Sequence, residues 1–73
     1  RIRVNAIAPG YIRSEGGEVE GLLGDASVKQ HISVTPLGRL GEPADIAAAA
    51  VFFASDASSW VTGETIRVGG GAR

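Results

Sequence analysis

The sequence predicts an α/β chain in which two parallel strands are joined by a helical crossover. Three observations carry that prediction. Apolar residues near the start alternate with a period of two, the middle holds an apolar run with helical spacing behind a proline, and the end returns to a two-residue period before three glycines. A strand–crossover–strand unit of this kind runs parallel and right-handed. Two strands do not make a stable sheet, so further strands are expected to come from other protein.

The first strand is expected over residues 1–8. Ile2, Val4, Ala6 and Ala8 alternate with Arg3, Asn5 and Ile7, which is the strand period. Toward its end the run is apolar on both faces, as in a strand entering a covered parallel sheet. Pro9-Gly10 is expected to stop it, because proline removes a ladder donor and glycine permits a sharp turn. Residues 14–24 are rich in glycine and glutamate and read as a mobile loop with a short helical turn around Val19–Leu23.

A modest helix is expected over Asp25–Val34, capped by Asp25, with Val28 and Ile32 on one side. Pro36, Gly38, Gly41 and Pro43 make the following stretch turn chemistry. The clearest signal comes next. Pro43 suits a first helical position and Asp45 a first turn, and Ile46, Ala49, Ala50 and Phe53 follow at helical spacing. Val51 and Phe52 widen the apolar surface past one stripe, so this helix expects cover on more than one side. Residues 55–63 read as a polar connection with Trp60 and Val61 as apolar anchors. Residues 64–68 form the last strand, with Ile66 and Val68 on one face and Thr65 and Arg67 on the other, and Gly69-Gly70-Gly71 ends it.

Composition narrows the classes. A chain of 73 residues is one small domain at most, and a domain of that size buries only about 60% of its unfolded surface. It has no cysteine and a single histidine, His31, so neither disulfides nor a structural zinc site is available to it. Docking onto more protein is the remaining route to a stable core. Seven basic and eight acidic residues are interspersed, for a net charge of −1, which argues against a nucleic-acid surface. The longest apolar run, Ile46–Ala54, spans nine residues, far short of a bilayer, and no signal peptide is visible. A cytoplasmic protein is expected. The absence of methionine and an opening inside a strand read as a fragment of a longer chain.

Three stretches together resemble the last third of the short-chain dehydrogenase/reductase family, classical branch. They are Arg3–Ile12, Pro36–Ala47, and Ser55-Asp56 through Trp60-Val61-Thr62-Gly63-Glu64. The resemblance covers essentially the whole chain. It implies the C-terminal part of a Rossmann-type doubly wound parallel sheet, with Arg3–Ala8 as the sixth strand and Thr65–Val68 as the seventh. Ligands in such sheets bind beyond the carboxyl ends of the strands.

In the family, the turn at Pro9-Gly10 passes beside the nicotinamide ring of NAD or NADP, and the backbone of Ile12 pairs with the carboxamide. A backbone N–H and C=O match an amide's acceptor and donor. Ser14 stands where the family usually has a threonine whose hydroxyl reaches the cofactor. The resemblance therefore implies Pro9, Gly10, Ile12 and Ser14 as cofactor-binding residues. It makes 9–34 the cofactor turn and substrate lid, with Tyr11, Leu22 and Leu23 toward an alcohol or ketone substrate. Residues 35–63 become loop, helix and connection, and 64–73 the last strand and tail. Partners implied are the remainder of the Rossmann domain and a homodimer or homotetramer joined through the long helix and last strand.

There are departures from the family pattern. Gly69 stands where the family usually has aspartate, which removes a local hydrogen-bond acceptor. The glycine-rich pyrophosphate turn is not in this chain, and neither is a tyrosine four residues before a lysine; Tyr11 and Lys29 are too far apart for that pair. No catalytic residue and no metal ligand is assigned. His31 reads as packed or solvent-facing, Lys29 as a solvated charge, and Arg39 as a tie to Glu42 or Asp45 more than as a phosphate contact. Two other classes stay open: a non-enzymatic module that folds by docking onto a partner, and a non-functional truncation. A glycine-rich turn and a Tyr-x-x-x-Lys upstream of Arg1 would favour the enzyme.

Overall fold

The computed structural model describes residues 1–13 and 24–72. Its elements are β1 (Ala6–Pro9), α1 (Gly24–Ser33), α2 (Pro43–Ala54), a 3-10 turn (Asp56–Ser58) and β2 (Thr65–Val68). β1 and β2 pair in parallel, with Ala6 opposite Thr65 and Pro9 opposite Val68, and α2 packs across both strands. The strand–crossover–strand expectation is met.

β1 differs from the strand expected over residues 1–8. It starts later and runs through Pro9 rather than stopping before it. The hydrogen bonds show why proline is tolerated. Ala6 N–H donates to Glu64 O at 2.8 Å and Gly10 N–H to Val68 O at 2.9 Å, so donors toward β2 sit on even-numbered residues. The missing N–H of Pro9 falls on the other edge, where proline costs no rung of this ladder.

Residues 1–5 leave the regular ladder, and one backbone bond, Gly63 N–H to Val4 O at 2.7 Å, is joined there by side-chain bonds. Val4 N–H donates to Thr62 Oγ1 at 3.1 Å, and Asn5 spans the gap with Nδ2 on Val61 O and Oδ1 accepting Glu64 N–H. Arg3, expected only as the polar member of an alternating strand, does more. Its Nη1 donates to Ser58 O, Ser58 Oγ and Val61 O at 2.9–3.1 Å, and its Nη2 to Phe53 O at 3.0 Å. Phe53 lies in the last turn of α2, where carbonyls lack helical partners and a cation is favoured. Ser58 is fully buried and its hydroxyl also returns to Phe53 O. One guanidinium thus joins the chain before β1 to the end of the crossover helix.

At its other end α2 begins as its residues predict. Pro43 occupies the first turn, and the Asp45 carboxylate accepts Glu42 N–H at 2.8 Å. Ile46, Ala49 and Phe53 are half-buried, whereas Ala50 stays exposed and Val51 and Phe52 are 67% and 41% exposed. α1 spans Gly24–Ser33, one residue earlier than expected at each end, so Asp25 falls in its first turn rather than before it. The proposed turn at Val19–Leu23 lies outside the described residues.

Among the described residues, Leu40 is the only fully buried apolar side chain. The expectation that Trp60 anchors the connection is corrected: it projects outward, 98% exposed, because the 3-10 turn is fastened by Ser58 and Arg3 instead. Val61 is half-buried. Ile2, Val4, Val51, Phe52 and Trp60 are exposed.

Candidate functional site

The candidate site is the turn at the carboxyl end of β1. Its geometry begins with Gly10. A Cβ on Gly10 would lie 2.8 Å from the Cα of Gly69, closer than real Cβ contacts come. Glycine is therefore required by the close approach of the two strand ends. Gly69 itself is more open: a Cβ there would meet Gly10 at 3.6 Å, an ordinary contact.

Beyond Gly10 the chain makes a second, one-residue parallel bridge, Ile12 with Gly41. Gly41 N–H donates to Tyr11 O at 3.0 Å and Arg13 N–H donates to Gly41 O at 2.8 Å. In a parallel bridge these are the groups of the residues flanking Ile12, and backbone groups alternate in direction along an extended chain. The N–H and C=O of Ile12 consequently face away from Gly41. Pro9, Gly10, Tyr11 and Ile12 line one open hollow of about 380 Å³.

Tyr11 and Ile12 also border a smaller cavity of about 170 Å³, whose lining includes His31, Arg39, Asp45 and Gly69. The Tyr11 and His31 rings stack edge to face with centroids 4.1 Å apart. His31 is thus packed, as one of its two readings had it, and it ties α1 to the turn. Lys29 is exposed on α1. Of the residues implied for the site, Ser14, Leu22 and Leu23 lie outside the described residues.

The bridge is braced from below. Arg39 grips Asp45 with two contacts, Nη1–Oδ2 at 2.8 Å and Nη2–Oδ1 at 3.2 Å, and Arg39 Nη1 also donates to Leu40 O at 2.9 Å. Arg13 and Glu42 approach to 3.8 Å. The tie from Arg39 to a nearby carboxylate was legible in the sequence, and the structure selects Asp45. The Ile12–Gly41 bridge was not. Its only trace is a glycine that precedes a helix start without needing an unusual φ.

The hydrogen bonds from Arg39 and from Glu42 N–H hold the Asp45 carboxyl down to about 2 from its ordinary 3.8. A depressed carboxylate stabilises the fold at any pH above its unfolded value, and that contribution disappears as pH falls through the folded value. Acid titration of the intact protein is therefore expected to retain the Asp45 contribution through pH 4 and to lose it between about 4 and 2. The Asp45→Asn variant should lack that segment of the pH–stability curve. An identical curve for the variant would refute the assignment. Among the described residues no group of three or more metal-ligating side chains occurs, and no helix is long and apolar enough to cross a membrane.

With the geometry in view, the likeness to known proteins is specific. The family described as enoyl-(acyl carrier protein) reductase matches residues 1–73. A 3α-hydroxysteroid dehydrogenase of Mediterraneibacter gnavus is 51% identical over 72 residues, covering 99% of this chain and 28% of that protein. A solved 7α-hydroxysteroid dehydrogenase in complex with NADH and 7-oxo glycochenodeoxycholic acid superposes with a TM-score of 0.84 at 41% identity, over 96% of this chain and 27% of that one. A 3-oxoacyl-[acyl-carrier protein] reductase of Brucella melitensis with bound NAD gives 0.78 at 38% identity, over 96% and 23%. The chain spans under a third of the length of the curated relatives it matches, 29% and 28% for two of them.

Proposed function

This chain belongs to the short-chain dehydrogenase/reductase family, and from that premise we propose that the intact protein is a nicotinamide-dependent oxidoreductase acting on an alcohol or ketone. Within it, this chain supplies one wall of the nicotinamide pocket, the substrate lid and part of a homodimer or homotetramer interface. The relatives are oxidoreductases with Rossmann folds, and the described part of this chain is a piece of that fold.

The observation that carries the proposal is the orientation of Ile12. Its N–H and C=O face out from the bridge with Gly41, beside a hollow floored by Pro9 and Gly10. A primary carboxamide offers one acceptor and two donors, which such a pair matches. Gly10 adds no side chain to obstruct the approach. NAD or NADP supplies hydride transfer when bound. The residues of this chain orient its nicotinamide end: Ile12 through two backbone groups, Pro9-Gly10 through shape, and Ser14 through its hydroxyl.

Residues 15–34 are proposed to close over the substrate, with Tyr11, Leu22 and Leu23 toward it. Proton transfer falls to residues outside this chain, so no catalytic role is assigned here. The exposed apolar residues of α2 and β2, Val51, Phe52 and Ile66, suit burial in the rest of the domain and in the oligomer. A cytoplasmic location accompanies this reading.

The test is reduction by the intact protein of an oxosteroid and a 3-oxoacyl thioester with NADH and with NADPH. Turnover of a carbonyl substrate is expected; consumption of neither cofactor with any carbonyl would refute the proposal. The isolated chain, lacking the pyrophosphate turn, is expected to produce no saturable change in NADH fluorescence. A saturable change would show that the chain holds the cofactor without the remaining sheet.

A further inference from the structure

We infer that Asp45, gripped by Arg39, is a positioning residue for the nicotinamide end of the cofactor. It acts through a hook made by Leu40, Gly41 and Glu42 on the cofactor turn. The inference rests on the cofactor reading above, and the residue it names holds the backbone of the hook, accepting Glu42 N–H and pairing with Arg39.

One carboxylate gathers the backbone on both sides of Gly41. Asp45 Oδ2 accepts Glu42 N–H at 2.8 Å, directly after the glycine. It also holds Arg39, whose Nη1 reaches Leu40 O at 2.9 Å, directly before it. Leu40 is 4% exposed, so the hook is rooted in the best-buried apolar position among the described residues. From this base Gly41 presents its N–H to Tyr11 O and its C=O to Arg13 N–H.

Those two bonds fix the inner edge of the turn. The outer edge is the N–H and C=O of Ile12, carried on the same two planar peptide units. A peptide plane cannot shift on one edge alone, so motion of Gly41 is transmitted to Ile12. The side chain of Ile12 is also seated against the hook: a Cβ on Gly41 would lie 2.5 Å from Ile12 Cδ1. Bidentate pairing suits this role because the guanidinium fork fixes direction as well as distance, which an ammonium does not.

A positioning role separates the two ends of the cofactor. In the intact protein, Asp45→Asn and Arg39→Lys are compared with wild type by kcat/KM for NADH and by the calorimetric affinity for ADP-ribose, which lacks the nicotinamide. NADPH and 2′-phospho-ADP-ribose replace them if the wild type prefers phosphate. The expected result is a fall in kcat/KM of about tenfold for Asp45→Asn, in line with sub-ångström misplacement of a reactant, with a smaller fall for Arg39→Lys and unchanged ADP-ribose affinity for both. A merely structural role would weaken both ligands together or lower only the melting temperature, and either outcome overturns the inference. Should Asp45→Asn not fold, Arg39→Lys, which leaves the Asp45 carboxylate on Glu42 N–H, decides alone by the same contrast. Failure of the wild type to use either cofactor would instead refute the functional reading itself.

Discussion

Replacing Arg3 with methionine in the intact protein is expected to cost about 3 kcal/mol of stability. For domains of roughly 150–250 residues, that is a drop of about 6–12 °C in melting temperature. The guanidinium of Arg3 makes four hydrogen bonds, three of them to backbone carbonyls. Methionine retains the apolar stem and removes all four bonds, while Phe53 O keeps the Ser58 hydroxyl, Val61 O keeps Asn5 Nδ2 and Ser58 O keeps Val61 N–H. The loss is that of charge-assisted bonds, worth about 1.5–3 kcal/mol where a charged group takes part. Arg3→Lys tests geometry rather than charge. An ammonium on a flexible stem cannot reach Phe53, Ser58 and Val61 together, so an intermediate loss is expected. Thermal denaturation of both variants checks this; a methionine variant that melts with the wild type would show that the clamp contributes nothing.

The second large effect is at Gly10. Alanine there places a Cβ 2.8 Å from the Cα of Gly69, with main chain on both sides and no flexible side chain to yield. The ends of β1 and β2 must then part, at a cost of about 1–3 kcal/mol for an overpacked site. The displacement falls two residues from Ile12, so kcat/KM for the nicotinamide cofactor should fall by about 10- to 100-fold. Steady-state kinetics of Gly10→Ala, read beside its melting curve, measures both. Wild-type kinetics in this variant would mean that the turn does not border the nicotinamide.

Much of this architecture was legible in the residues. The two-residue period of Ile2–Ala8 and of Thr65–Val68, with an apolar helix between them, pointed to a parallel pair. Pro43 and Asp45 marked the start of α2 to the residue. What escaped was pairing between distant parts of the chain. Arg3 reads as the polar half of a strand, and nothing in its neighbours reveals that Phe53, Ser58 and Val61 converge on it. Pro9 reads as a stop because a local rule cannot know which edge its missing donor faces. Trp60 reads as an anchor because large aromatic residues are usually covered; among the described residues nothing covers it.

The site divides in the same way. Pro9, Gly10 and Ile12 are proposed from their resemblance to a family turn. The resemblance also implies Ser14, Leu22 and Leu23, which lie outside the described residues. The brace beneath the turn was half visible: Arg39 was expected to meet Glu42 or Asp45, and distance chose between them. The Ile12–Gly41 bridge carried no periodic signal, since a one-residue bridge has no period. It is nevertheless the feature that aims the backbone of Ile12 outward.

That orientation is best tested by a crystal structure of the intact protein with NAD or NADP. The nicotinamide carboxamide is expected within hydrogen-bonding distance, about 3 Å, of both the N–H and the C=O of Ile12, with Gly10 beneath the ring. A nicotinamide seated on a different loop, with those two groups turned to water or to other main chain, would contradict the account.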